Sequence, residues 1–223
     1  MATDDIIEPY IRLAESLGRY GELVRGLRQR ITQSPSPTAR DYLMLAYGYE
    51  VGDDAVQRKA ALEEGLRRLP ESDELRLQLA SALAGEREFV RAQAIVAAHT
   101  RLRDEPAAAE LYFDLMRRNE DVAAERRFLA RPFADAVARD ESVRERIARA
   151  REALGELPEA ERIWRELLAE RPADPERTAD LARILVRRGN AKDARALLEP
   201  LLRTPTPPVL RLAAEVAQAA GDP

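Results

Sequence analysis

A helix-stopping residue recurs along this chain at almost constant spacing. Gly18, Gly52, Gly85, Asn119, Gly155, Gly189 and Gly221 stand 34, 33, 34, 36, 34 and 32 residues apart. Most are followed by a polar or acidic residue, as in Gly52-Asp53, Gly85-Glu86, Gly155-Glu156 and Gly221-Asp222. Glycine ends helices because it enters the left-handed conformation without a Cβ clash, and asparagine is the usual substitute. A period of this size signals a repeat array, in which each unit completes its core only against its neighbours.

Between the turns the apolar residues follow a helical period. After Gly155 they are Ala160, Ile163, Trp164, Leu167 and Leu168, a stripe at i, i+3, i+4, i+7 and i+8. The same register returns as Ala194, Leu197, Leu198, Leu201 and Leu202, as Ala92, Ile95, Val96, His99 and Thr100, and as Arg58, Ala61, Leu62, Gly65 and Leu66. Each segment before a turn carries its own mark, a large apolar residue, a small one, and another apolar residue a turn later. Leu13-Ala14 with Leu17, Leu45-Ala46 with Tyr49, Leu79-Ala80 with Leu83 and Leu181-Ala182 with Leu185 show it. Small residues there let two helices approach closely. Leu69-Pro70, Arg171-Pro172 and the run from Thr204 to Pro208 stop second helices, and Ser72 and Asp174 are suited to cap the next first helices.

The unit is therefore helix, turn, helix, turn in about 34 residues, and it resembles the tetratricopeptide repeat. The resemblance rests on the period, the Leu-Ala pair, the glycine-acidic turn, the small residue opening the second helix (Ala92, Ala160, Ala194) and the proline that ends it (Pro70, Pro172). It implies an all-α, right-handed superhelical solenoid of antiparallel helix pairs, about 13 helices in a single array. The expected repeats are roughly 5–38, 39–72, 73–106, 107–140, 141–174 and 175–206, with 207–223 a half repeat or capping helix. Leu210, Ala213, Ala214 and Ala217 mark that last helix, and Arg211, Glu215 and Gln218 offer it a polar outer face. An ending at a turn suggests a piece of a longer array.

The copy over 107–140 departs from the pattern. Asp114 replaces the expected alanine, Arg126 stands where the second helix should present a small residue, and Pro132 interrupts that helix. A buried unpaired charge is costly, so local distortion or re-registration is expected here.

The chain offers little to catalysis. It has no cysteine and a single histidine, His99, which falls on the core stripe of a second helix. A zinc set and a Ser-His-Asp triad both lack partners, and no phosphate-binding or dinucleotide glycine pattern occurs. Adjacent carboxylates such as Asp53-Asp54 and Glu63-Glu64 point apart on a helix or lie in turns. Trp164 reads as core. No cofactor and no metal are expected. The formal net charge of −4, with both signs interspersed, argues against nucleic acid, and no apolar run reaches a membrane span.

In the resembled family, first helices line a concave groove that holds peptides or protein elements. The matching face here presents Arg40, Leu43, Tyr47 and Glu50, then Glu74, Leu77 and Ser81, then Glu145, Arg149 and Glu152, then Arg183, Val186 and Arg187. Arg40, Tyr47, Glu50, Arg149, Arg183 and Arg187 are the candidate partner contacts: Tyr47 as an aromatic outside the core, the arginines as forks for carboxylates and acidic peptides. The alternative role for these charges is solvation, with Glu145 and Glu152 pairing the arginines. The expected function is a non-catalytic scaffold with protein partners; a polysaccharide-binding groove and a stand-alone cytoplasmic adaptor are the alternatives. Of the 36 basic residues only Lys59 and Lys192 are lysine. Together with the fragment-like ends, that composition resembles the helical-repeat regions of bacterial envelope proteins that export exopolysaccharide or assemble secretion machinery, which implies a periplasmic location within a larger protein.

Overall fold

The computed structural model describes residues 20–172, 174–203 and 206–220. Among them there are thirteen α-helices, one 3-10 helix and no strand. The chain divides into two compact units, Met1–Leu102 and Arg103–Pro223. The expected first helix near Leu13 and the turns at Gly18 and Gly221 lie outside the described residues.

The first unit holds α1 (Tyr20–Gln33), α2 (Ala39–Val51), α3 (Ala55–Arg68), α4 (Asp73–Gly85) and α5 (Phe89–Ala97). Thr38 starts α2 with a capping box: its backbone N–H donates to Asp41 at 2.8 Å, and the Asp41 N–H donates to the Thr38 hydroxyl at 3.4 Å. Ser72 caps α4 by accepting the Leu75 N–H. Tyr42, Leu45 and Ala46 of α2 and Leu75, Leu79, Ala80 and Leu83 of α4 are buried against Ala61 and Leu62 of α3 and Ala92 and Val96 of α5. Gly65 is where α3 meets Tyr42 most closely, since a Cβ there would lie 2.7 Å from Tyr42 Cγ. His99 is buried, as its register position requires, but α5 ends at Ala97, so it sits in the following turn. Its Nδ1 accepts the Arg101 N–H at 3.1 Å and lies 3.5 Å from Asp73.

The second unit holds α6 (Pro106–Arg118), α7 (Val122–Leu129), α8 (Asp135–Arg139), α9 (Glu141–Ala153), α10 (Leu157–Glu170), α11 (Pro175–Arg187), α12 (Ala191–Leu198) with a 3-10 extension Glu199–Arg203, and α13 (Pro207–Ala220). Its core gathers Ala148 of α9, Ala160, Ile163, Trp164 and Leu167 of α10, Leu181, Ala182, Ile184 and Leu185 of α11, Ala194 and Leu198 of α12, and Leu212 and Val216 of α13. Trp164 is fully buried, and Asp174 caps α11 through the Glu176 and Arg177 N–H groups. In α13 the buried stripe is Val209, Leu212 and Val216, one position from the expected one; Leu210 faces out beside Arg211, Glu215 and Gln218.

The turns between paired helices share one geometry, and it corrects the reading of the glycines. Left-handed backbone occurs at Asp53, Arg87, Glu120, Gly155 and Gly189, at intervals of 34, 33, 35 and 34 residues. Only the last two are glycines. Gly52 has a φ of −79°, Gly85 ends α4, and Asn119 is right-handed. In each of the five described copies the next N–H reaches back to the carbonyl five residues earlier: Asp54 to Tyr49, Glu88 to Leu83, Asp121 to Met116, Glu156 to Arg151 and Asn190 to Leu185, all at 2.8–2.9 Å. These are Schellman closures. The same five residues are the N-caps of the second helices. One residue thus ends one helix and starts the next, which is why the two run antiparallel through so short a turn.

Counted from the left-handed residue, the irregular copy keeps its register. The small-residue slot five positions on is Arg58, Ala92, Ala160, Ala194 and, in this copy, Glu125 rather than the expected Arg126. Glu125 is buried with Phe128 and Leu129, and Arg126 is exposed. Asp114 is not a stranded charge, because Arg146 of α9 grips both its oxygens at 2.9 Å. The helix does stop before Pro132, ending at Leu129.

Arg103 repairs that stop. Its guanidinium donates to the carbonyls of Phe128 at 2.7 Å, Pro132 at 3.0 Å and Arg131, and lies over the rings of Phe128 and Phe133. Phe128 stacks edge-on with Tyr112, Phe113 and Phe133. Orphan carbonyls at a truncated helix end need donors, and one planar fork supplies several.

Candidate interaction surface

The six residues singled out from the sequence fall on three first helices, α2 in the first unit and α9 and α11 in the second. On α2, Arg40 and Tyr47 are exposed, Tyr47 by 41%, while Glu50 pairs with Arg58 of α3 at 3.2 Å. Leu43, Leu77 and Ser81 are half-buried, and Glu74 is exposed.

On the second unit the arginines are drawn into a ladder between successive first helices. Arg146 of α9 joins Glu110 (3.2 Å) and Asp114 of α6. Arg177 of α11, itself buried, joins Glu141 and Glu145 of α9 and donates to the Leu167 carbonyl. Arg149 bonds Asp180 at 3.3 Å, approaches Glu145 at 3.7 Å and lies over the Trp164 ring at 5.5 Å. Arg183 meets Asp180 at 2.9 Å and Glu152 at 3.9 Å, and Arg187 meets Glu152 at 2.9 Å. The pairing of Glu145 and Glu152 with the arginines is therefore present. Half-exposed pairs of this kind add little stability singly, and their geometry leaves guanidinium edges open to a ligand.

These arginines line a concave pocket of about 650 Å³. Met116, Val122 and Ala153 give it an apolar surface, Arg117, Glu120 and Glu125 enter from α6, the turn and α7, and Arg149, Glu152, Arg183 and Arg187 close it from α9 and α11. Periodicity selected the four residues of α9 and α11 but missed Arg117 and Glu125. The latter was hidden because counting 34 back from Ala160 lands on Arg126, while this copy is 35 residues long between left-handed positions.

Burial sets the titration of the acids here. It raises the Glu125 carboxyl above the ordinary glutamate value, against the opposing pull of Arg117, with Asp121 adding to the rise. Burial likewise raises Glu145, against Arg149, and Glu110, against Arg146. Burial opposes the charge of Arg146, but its bonds to Asp114 prevail and hold it above its usual value. Among the described residues no group of three or more His, Asp and Glu is placed to hold a metal ion, and no helix is long and apolar enough to cross a membrane.

Comparison with known proteins finds a family match over part of the chain. Residues 152–216 match the profile described as tetratricopeptide repeat. No curated protein matches the sequence. Among solved structures, a tetratricopeptide repeat protein from Parabacteroides merdae is 15% identical with a TM-score of 0.64, over 98% of this chain and 87% of that one. YrrB, described as a tetratricopeptide protein with an unusual peptide-binding site, is 11% identical with a TM-score of 0.67, over 87% of this chain and 97% of its own. PilW, described as a widely conserved type IV pilus biogenesis factor, is 21% identical with a TM-score of 0.57, over 82% and 86% of the two chains.

Proposed function

We propose that this tetratricopeptide-repeat protein is a non-catalytic scaffold whose second unit holds an acidic segment of a protein partner. The observation that carries the reading is the pocket between α6, α7, α9 and α11, where Arg149, Arg183 and Arg187 converge over an apolar surface. Arg183 and Arg187 share Glu152, Arg149 and Arg183 share Asp180, and Arg117 forms no ion pair with a described residue, so guanidinium edges stay available at the rim. A preformed pocket on packed helices requires little ordering on binding, which favours affinity. Tyr47 and Arg40 give the first unit a separate, smaller contact face.

The setting we propose is a bacterial envelope assembly handling exopolysaccharide export or secretion, with this chain in the periplasm. The arginine-rich, cysteine-free composition supports it, and so does the likeness in fold to PilW, described as a type IV pilus biogenesis factor. Affinity capture from separate periplasmic and cytosolic extracts tests both points. The wild-type chain is expected to retain a periplasmic protein that Arg183→Ala/Arg187→Ala loses and Tyr47→Ala keeps or weakens. Identical capture by wild type and the double variant would remove the pocket from the account; a partner confined to the cytosolic extract would replace the setting with a cytoplasmic adaptor. Retardation in polysaccharide-containing gels with no captured protein would favour a polymer-binding groove instead.

A further inference from the structure

Glu125 has no use in the fold. It occupies a slot filled by Ala92, Ala160 and Ala194 in three sister copies and, in the fourth, by Arg58, which pairs with Glu50; it is only 6% exposed, and it forms no hydrogen bond or ion pair with a described residue. A carboxylate so placed would be costly if it were merely packing. Yet it lines the pocket rather than the sealed core. The groups facing it are Arg117 from α6, Glu120 and Asp121 from the turn, Arg149 and Glu152 from α9, and Arg183 and Arg187 from α11. The arginines on α9 and α11 are bound to Asp180, Glu145 and Glu152, which leaves Arg117 as the unpaired cation among them.

We propose that the pocket binds a partner's carboxylate together with a proton, Glu125 in its acid form donating a hydrogen bond to the ligand while Arg183 and Arg187, which line the same pocket, supply guanidinium donors. The proton comes from solvent, and deprotonation of Glu125 would set two carboxylates against each other. Binding is therefore tighter on the acid side. The α7 N-terminus favours an ionised Glu125, but burial opposes it more strongly, and an incoming carboxylate adds to that opposition. This inference rests on the reading that the second unit holds an acidic segment.

A fluorescent hexa-aspartate peptide is the probe, since carboxylates with ordinary values near 3.9 stay ionised from pH 5.5 to 8. Anisotropy titrations of the full chain are expected to show affinity falling about fivefold or more across that range, approaching tenfold per pH unit at most where one proton is linked. Glu125→Gln, which donates but does not titrate, should bind with the wild type's low-pH affinity, flat with pH. Glu125→Ala, which restores the sister residue, should be flat and weaker. Arg183→Ala/Arg187→Ala should lose binding at every pH. Binding by wild type that ignores pH, or a slope unchanged in Glu125→Gln, overturns the proton linkage and leaves the acidic-partner reading standing. No binding by wild type at any pH overturns that reading itself.

Discussion

The pairs α9/α10 and α6/α7 are neighbours in one unit, yet different forces hold them. The first is a regular hairpin: a second helix of 14 residues buries Ala160, Trp164 and Leu167 along its length. The second ends after 8 residues, and its missing turns are replaced by Arg103 and a cluster of four aromatic rings. An apolar helix face closes one; an arginine fork set over an aromatic cluster closes the other. The regular pair buries one carboxylate, Glu161, and pairs it with Arg165 and Arg188; the irregular one buries Glu125 beside an open pocket without such a partner. A repeat freed from its full-length second helix can thus carry an unpaired carboxylate.

The sharpest way to break this contrast is to attack each pair at its own anchor. Trp164→Ala removes a fully buried indole from the regular core and is expected to cost about 3–5 kcal/mol, read from the urea midpoint. Arg103→Ala should cost about 2–3 kcal/mol, because charge-assisted bonds to carbonyls are lost and the carbonyls stay partly buried. Its signature is local: hydrogen exchange should rise over 122–139 and hardly change in α10. Equal loosening of both pairs would show that Arg103 is not the clamp of the irregular one.

The turns allow a finer test. Gly155→Ala forces a side chain into left-handed backbone and should cost about 1 kcal/mol. Glu120→Gly, at the equivalent position of the irregular copy, relieves the same strain and should gain about 0.5 kcal/mol after the greater entropy of the unfolded chain is counted. Matching signs in thermal melts would mean that the two turns are not equivalent.

The period, the Leu-Ala helix contacts and the caps at Ser72 and Asp174 were legible because each depends on a few residues close in sequence. The left-handed position was not, since Asp53 and Glu120 adopt it at the expense of the adjacent Gly52 and Asn119, and Arg87 at the expense of Gly85 two positions earlier; the hydrogen-bond closure, not the residue type, decides where the chain turns. Arg103 was invisible to periodicity, for its partners are carbonyls some 25–29 positions away. Glu125 was displaced by the single extra residue of its copy. For the candidate contacts, helical phase selected Arg149, Arg183 and Arg187, but no sequence pattern says that α6 and α7 bring Arg117 and Glu125 to the same pocket.

The smallest effect concerns pH and stability. The Glu125 value is raised on folding, so its contribution is fully present below the unfolded glutamate value near 4.3 and is lost as pH rises through the folded value. Glu125→Gln should therefore gain in stability relative to the wild type between pH 4 and pH 8, by less than about 0.5 kcal/mol, read from urea midpoints. An advantage independent of pH would mean that Glu125 does not titrate differently in the fold.

The most direct test of the central claim is to map the hexa-aspartate peptide onto the isotopically labelled chain by amide chemical shifts at pH 5.5. Shifts clustered at 116–125, 149–153 and 183–187, absent in Arg183→Ala/Arg187→Ala, are the expected result. Shifts confined to the first unit, or none at saturating peptide, would contradict it.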